Sequence, residues 1–262
     1  MRISKISKIA ILATAAVVAI APSAVAYDLT SAGATSVSTF LEKCKVNYQA
    51  DTKDTLSHAG GGSTTGKTAI NTGTKDLAFS DSANTTAPAG VFHIPAAVWP
   101  IGIAYNLNNS ANKTLQLSVG TLAKIFAGQI TMWNDPAIVA DNNRTTTKVI
   151  YKLDKNGNPA KDSKGNPVVL RTQNITQRYT LPDKPIKVVY RSDSSGTSEN
   201  FTSYLNKSAS AVWPKAKNKV FKDAFPGNIN DTANLGRVVG AASSTGVAQL
   251  AGKTAYSITY AE

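Results

Sequence analysis

The sequence predicts an α/β fold, because short apolar strands lead through small polar turns into segments with helical spacing. The clearest unit begins with Lys187–Tyr190, an apolar and β-branched run, and continues into the turn Arg191–Thr197. After this turn, Phe201 and Leu205 lie on one face of a predicted helix. Two earlier segments repeat the same order of strand, hydroxyl-rich turn and helix.

The turn before this helix has the residue types of an anion site. Free N–H groups and the dipole at a helix N-terminus favour negative charge. The planar guanidinium of Arg191 suits a tetrahedral oxyanion. The alternative is an ordinary helix start with Asp193 or Ser195 as the N-cap, and this turn alone leaves both interpretations open.

The first of the earlier units starts with a short predicted strand at Tyr27–Leu29 and a turn at Thr30–Ser36. A helix is expected over Val37–Gln49, with Thr35 or Ser36 as its N-cap. Its apolar face would carry Val37, Phe40, Leu41, Cys44 and Tyr48.

The second earlier unit follows a predicted strand at Thr55–His58. Residues Gly61–Thr68 match the G-x-x-x-x-G-K-[ST] pattern of nucleotide P-loops. A further strand predicted at Lys75–Ser80 leaves room only for a short helix, and export would take the protein away from ATP. The pattern therefore favours a simpler anion site, in which backbone N–H groups and Ser63 lie at a helix start.

The next predicted strand, within Asp76–Ser82, ends in the carboxylate of Asp81. Two apolar runs follow, and Ile101–Leu107 is predicted to be a central buried strand. The remaining predicted elements are an amphipathic helix at Leu117–Gly128, a polar hairpin excursion over 150–180, a capped helix at Ser243–Leu250 and a final strand at Ala255–Tyr260.

The N-terminus predicts export. A basic start precedes the short apolar stretch Ile9–Ala21, and Ala24–Ala26 is a small-x-small cleavage signal, so residues 1–26 are expected to be a signal peptide. The single Cys44 cannot form an internal disulfide, which suits a bacterial cell envelope protein with a sufficient core. The formal net charge of +12 suits several anionic partners, but export disfavours nucleic acid.

Together these motifs resemble the phosphate-binding proteins of phosphate ABC transporters, which are type II periplasmic binding proteins. The resemblance runs from about Asp28 to Tyr260, and the arginine turn is its most specific part. The matching segments are Ala32–Thr35, Gly62–Ser63 with Gly66, Asp76–Asp81, Thr121–Asp135 and Arg191–Ser198.

The resemblance implies a phosphate site without a metal or cofactor. The implied phosphate ligands are Thr35, Ser36, Ser63, Asp81, Arg191, Ser195, Gly196 and Thr197. Asp193 would orient the Arg191 guanidinium, and Asp81 would accept a hydrogen bond from the proton of the phosphate. The protein would be a monomer that carries inorganic phosphate to a membrane permease and catalyses no reaction.

The resemblance also implies two α/β lobes with mixed sheets and a ligand cleft between them. The expected first lobe is 27–107 and the second is 108–254, with 255–262 returning towards the first. Relatives normally continue beyond the final strand, so the C-terminal part of the first lobe is expected to be absent.

Other functions stay open at this point. A sulfate or molybdate protein is opposed by Asp81, whose carboxylate favours an anion that brings a proton. A hydrolase is opposed by the lack of a G-x-S-x-G motif near Ser194 and Ser195, with only His58 and His93 as candidate bases. A purely structural envelope protein is the remaining alternative.

Overall fold

A computed structural model describes residues 26–108, 114–176 and 178–262. The predicted signal peptide and most of the predicted crossing at Asn108–Lys113 lie outside these residues. The strands are β1 (Asp28–Gly33), β2 (Thr55–Gly61), β3 (Leu77–Phe79), β4 (Gly102–Asn106), β5 (Thr145–Tyr151), β6 (Val169–Thr176), β7 (Lys187–Arg191), β8 (Val238–Ala241) and β9 (Ser257–Ala261). The helices are α1 (Ser38–Thr52), α2 (Ser63–Asn71), α3 (Val119–Phe126), α4 (Pro136–Asn142), α5 (Gly196–Ser208), α6 (Phe221–Ala224) and α7 (Ser244–Lys253).

The first sheet is parallel, with the strand order β2-β1-β3. Its central strand β1 is longer than predicted, because Ser31 and Ala32 continue the ladder with β2 and β3. Helix α2 packs closely on this sheet. A Cβ on Gly66 would lie 2.7 Å from the carbonyl oxygen of Phe79 and 2.8 Å from the Cα of Gly33, so only glycine fits there.

The start of the first helix differs from the prediction. A short 3₁₀ turn, Thr35–Val37, precedes α1, and the residue before it, Ala34, has no side chain that could cap the helix. Neither Thr35 nor Ser36 is therefore an N-cap, because both lie inside the turn and Ser36 bonds elsewhere. On the predicted apolar face Val37 and Leu41 are buried, whereas Phe40 is exposed.

The second sheet has the order β4-β9-β7-β8, in which β4 runs antiparallel to β9 and the other pairs are parallel. Its core is aromatic. The ring of Tyr260 stacks on Phe201 with centroids 4.3 Å apart, and Phe126 meets both edge-on. Helix α3 supplies Phe126 and α5 supplies Phe201, while Phe221 of α6 also stacks on Tyr260, so the larger buried core belongs to this sheet.

The segment Ile101–Leu107, predicted to be a central buried strand, is neither central nor fully buried. Its regular part, β4, is an edge strand of the second sheet, since only β9 pairs with it. The apolar residues before it lie in irregular chain, where Phe92 and Val98 are 84% and 94% exposed. Burial was predicted from apolar composition alone, but whether a segment is buried depends on which elements pack over it in the tertiary structure.

Strands β5 and β6 form a separate antiparallel hairpin in the region predicted as an excursion over 150–180, although β5 already begins at Thr145. Further bridges from Leu153 to Pro159 and from Lys161 to Pro167 extend it beyond β5. The lobe boundaries stay a prediction. Strand β4 lies within the predicted first lobe, yet through β9 it belongs to the same sheet as β7. No helix among the described residues is long and apolar enough to cross a bilayer.

Candidate functional site

The candidate residues gather at the carboxyl ends of the parallel strands. Strands β1, β2 and β3 end beside one another, and β7 ends opposite them with Arg191. In open α/β sheets this edge is where ligands bind, because the following helices begin there. The structure brings all of the predicted site residues into one cluster at this edge, which we call the cleft cluster.

Asp81 lies at the centre of the contacts from the first sheet. The hydroxyl of Ser36 donates to Asp81 Oδ1 at 2.6 Å, and that of Ser63 donates to Oδ2 at 3.0 Å. The backbone N–H of Asp81 donates back to Ser63 Oγ at 3.1 Å. Both carboxylate oxygens therefore face hydroxyl groups from two different helix starts.

Arg191 and Asp193 form a forked ion pair on the other side of the cleft cluster. Arg191 Nε donates to Asp193 Oδ1 at 2.7 Å, and Nη2 donates to Oδ2 at 2.5 Å. Burial alone would raise the pKa of Asp193, but the hydrogen bonds and charge of Arg191 outweigh it and lower the pKa. The predicted orienting contact is therefore present.

Two further N–H groups of Arg191, both on Nη1, point at two hydroxyls. Its Nη1 donates to Thr197 Oγ1 at 3.2 Å and to Ser244 Oγ at 3.0 Å. The arginine side chain is only 1% exposed, so its charge acts in a poorly hydrated region. Any anion in the cleft cluster would meet a guanidinium whose orientation is already set.

Helix α5 begins inside the cleft cluster with Ser195 as its N-cap, one of the two predicted candidates. Ser195 Oγ accepts from the N–H of Ser198, and Gly196 and Thr197 form the first turn. A Cβ on Gly196 would lie 2.5 Å from Ser63 Oγ, so glycine at this position allows the start of α5 to approach the start of α2.

Hydrogen bonds join the segments of the two sheets across the cleft cluster. The N–H of Gly196 donates to Ser63 Oγ at 3.2 Å, and the hydroxyls of Thr64 and Ser194 are 2.7 Å apart. The N–H of Ser244 reaches Thr35 Oγ1 at 3.3 Å. Of the predicted ligands, Thr35, Ser63 and Gly196 thus lie within hydrogen-bond distance of segments from the facing sheet.

Sequence reasoning missed two residues of the cleft cluster. Ser244 begins α7 and bonds Arg191, and its signal was readable, since Ser243–Gly246 is another hydroxyl-rich turn before a helix. Glu262 follows β9 and accepts from Thr197 Oγ1 at 2.8 Å. No local pattern marks Glu262, because only strand pairing carries it there.

The P-loop interpretation of Gly61–Thr68 is not favoured. Gly66 is required for the contact of α2 with the sheet, and the N–H of Gly62 is used by the carbonyl oxygen of Gly33 at 3.0 Å. The lysine of the pattern, Lys67, donates to Ser82 Oγ at 2.8 Å. The glycines therefore serve packing rather than a nucleotide loop.

The two histidines, His58 and His93, form hydrogen bonds with the first sheet and with the segment that follows it. His58 contacts the Ser31 hydroxyl and the carbonyl oxygen of Ala34, and burial lowers its pKa. His93 accepts from the N–H of Asn84. In the described ranges no group of three or more histidine, cysteine, aspartate or glutamate side chains could hold a metal ion.

A family model described as the PBP superfamily domain matches residues 18–262. The chain is 30% identical over 223 residues to phosphate-binding protein PstS3 of Mycobacterium bovis, which covers 82% of this chain and 47% of that protein. The chain thus spans about half the length of this curated relative.

Two solved structures show the same fold. A phosphate-binding protein from Stenotrophomonas maltophilia aligns with a TM-score of 0.56 at 20% identity, covering 89% of this chain and 60% of that one. A Clostridium perfringens protein, provisionally named a phosphate ABC transporter substrate-binding protein and solved with phosphate, gives 0.55 at 18% identity, covering 89% and 70%. These similarities confirm the predicted α/β class.

Proposed function

This chain belongs to the PBP superfamily, and on that premise we propose that it binds inorganic phosphate in the cell envelope and delivers it to an ABC transporter permease. The relatives named above for phosphate binding support this ligand. The protein is exported, acts as a binding protein and leaves its ligand chemically unchanged.

The observation that carries the proposal is the position of Asp81. Its carboxylate lies between the Ser36 and Ser63 hydroxyls, where two helices of the first sheet begin. A carboxylate beside an anion is repulsive unless the anion donates a hydrogen bond to it. Phosphate carries a proton near neutral pH and sulfate does not, so this arrangement selects phosphate.

The opposite wall supplies positive charge. Arg191, fixed by Asp193, lies beside the helix start at Gly196 and Thr197. Helix N-termini and a guanidinium both stabilise a tetrahedral oxyanion. The Ser36 and Ser63 hydroxyls, which donate to Asp81, would rotate towards the phosphate oxygens, while Thr197 keeps accepting from Arg191.

The remaining ligands close the shell around the anion. Thr35 and the main chain of Ser36 bind it from the 3₁₀ turn before α1, and Ser195 joins Gly196 and Thr197 at the start of α5. Because these segments belong to two different sheets, the bound anion links them, and closure follows as a hinge motion. The closed form is the one that the permease recognises.

Calorimetric titration of the purified protein with phosphate and then with sulfate tests the proposal, after circular dichroism has confirmed folding. We expect one phosphate site and no heat from sulfate at the same concentrations. A folded protein that binds neither anion, or binds sulfate equally well, contradicts the proposal. ATP titration provides a further comparison, and saturable ATP binding would instead support the P-loop interpretation.

A further inference from the structure

Glu262 brings a second carboxyl group into the cleft cluster. Its Oε2 accepts from Thr197 Oγ1 at 2.8 Å, and the same hydroxyl oxygen accepts from Arg191 Nη1 at 3.2 Å. Strand β9 holds Glu262 in place by pairing with β4 and β7. The phosphate roles assigned above make no use of this carboxyl group.

The surroundings of Glu262 disfavour its charged form. Burial, and then the negative charge of Asp81, raise its pKa to about 7, while Thr197, Arg191 and Ser36 oppose this only in part. The Arg191 charge does not offset this rise fully, because Arg191 already pairs with Asp193. A cavity of about 980 Å³ borders both Asp81 and Glu262, and its other titratable lining groups are Lys67, Asp76 and His93.

We propose that Glu262 is a further residue of the anion site and that it is protonated whenever the anion is bound. This inference rests on the proposed phosphate function. A charged Glu262 would stand beside Asp81 and the anion and repel both, whereas a neutral carboxyl group can donate its O–H to an anion oxygen. Glu262 therefore differs from Asp81, which accepts a hydrogen bond.

The proton balance follows directly. Well above pH 7 the free protein carries a charged Glu262, so binding takes one proton from solvent onto this side chain. Well below pH 7 the proton is already present, and binding adds none to Glu262. The part of the affinity that depends on Glu262 therefore weakens about tenfold per pH unit above pH 7.

The experiment is phosphate calorimetry at pH 6, 7 and 8, each in two buffers with different ionisation enthalpies, which gives the number of protons taken up. The wild-type protein is compared with Glu262→Gln, which keeps a donor but cannot titrate, and with Glu262→Ala, which lacks the donor. Glu199→Gln is the control, because Glu199 pairs with Lys217 and its pKa is lowered. The protonation of phosphate itself is common to all four proteins.

At pH 8 we expect the wild type to take up nearly one proton more than Glu262→Gln and to bind phosphate about tenfold more weakly. At pH 6 the two should agree, Glu262→Ala should bind more weakly than Glu262→Gln throughout, and Glu199→Gln should match the wild type. A carboxyl NMR titration of wild-type Glu262, with and without phosphate, needs no variant and should show its pKa rising on binding.

Equal proton uptake by the wild type and Glu262→Gln at pH 8, or a Glu262 pKa that does not rise with phosphate, overturns this inference and leaves phosphate binding intact. Wild-type protein that binds no phosphate at any of the three pH values overturns both proposals.

Discussion

Asp193 holds one edge of the Arg191 guanidinium, with Nε and Nη2 donating to separate carboxylate oxygens at 2.7 and 2.5 Å. The arginine side chain is 1% exposed and the aspartate 19%. Because the N–H of Ser243 also donates to Asp193 Oδ1, the pair is fixed to the start of α7 as well as to β7. This geometry makes the charge of the cleft cluster a rigid feature of the second sheet.

Replacing Asp193 with Asn should leave a buried guanidinium without its partner charge and lower the free energy of unfolding by about 3 kcal/mol. Urea denaturation at pH 7 measures the loss. Glu199→Gln is the matched control, because it breaks an ion pair whose lysine is 59% exposed and should cost less than about 1 kcal/mol. Equal losses in the two variants would contradict a special role for the Arg191–Asp193 pair.

The stability difference between the wild type and Asp193→Asn should depend on pH. The pKa of Asp193 is lowered, because Arg191 and the Ser243 N–H together outweigh the effect of burial. The stabilisation is therefore complete above the unfolded-state pKa of about 3.9 and disappears as pH falls through the folded-state value. Urea denaturation at a series of pH values from 7 down to 2.5 should show the two proteins converging, and a constant difference would be evidence against this linkage.

Replacing Asp81 with Asn should reduce discrimination between phosphate and sulfate. The amide can donate to sulfate and no longer repels a fully deprotonated anion, so we expect the ratio of the two affinities to fall by about 1–3 kcal/mol, or roughly 5- to 150-fold. Competition calorimetry measures this ratio. Asp76→Asn is the control, since Asp76 bonds only Thr30 at the far end of the strand; an unchanged ratio in Asp81→Asn would remove Asp81 from the selectivity argument.

Gly196→Ala should weaken phosphate binding by roughly 5- to 150-fold. Its Cβ would lie 2.5 Å from Ser63 Oγ and 2.8 Å from Asp81 Cβ, so the two walls must separate at a typical overpacking cost of about 1–3 kcal/mol. Calorimetry gives the affinity. Gly252→Ala meets nothing within 4 Å and should bind phosphate like the wild type; wild-type affinity in Gly196→Ala would show that the walls need not approach.

Gly66→Ala should lower the free energy of unfolding by about 1–3 kcal/mol, because its Cβ would meet backbone atoms of β1 and β3. In α3, Gly120→Ala has open space and should instead stabilise the protein by up to about 1 kcal/mol. Thermal or urea denaturation of both variants provides the comparison. A Gly66→Ala protein as stable as the wild type would reopen the question of why the P-loop-like pattern contains this glycine.

Local chemistry in the sequence was sufficient for much of the fold and for the hydroxyl-rich turns of the candidate site. Hydroxyls and glycines between a strand and a helix predicted the turns at Thr35, Ser63 and Ser195, because turn residues act on neighbouring chain, although of the three only Ser195 is a side-chain N-cap. The hairpin β5-β6 was predicted for the same reason, since its turn residues are local. Asp193 was correctly placed beside Arg191, although that role came from the family resemblance.

The tertiary structure decided what depends on residues far apart in the chain. The apolar run before β4 looked buried, but Val98 is exposed and β4 is an edge strand, because burial depends on which elements cover a segment. Ser244 and Glu262 lie in the cleft cluster because β8 and β9, which precede them in the chain, pair beside β7. The raised pKa of Glu262 follows from burial and from Asp81, which lies far from it in sequence. Electrostatic environment is a property of three-dimensional proximity, so no local pattern around Glu262 could have predicted it.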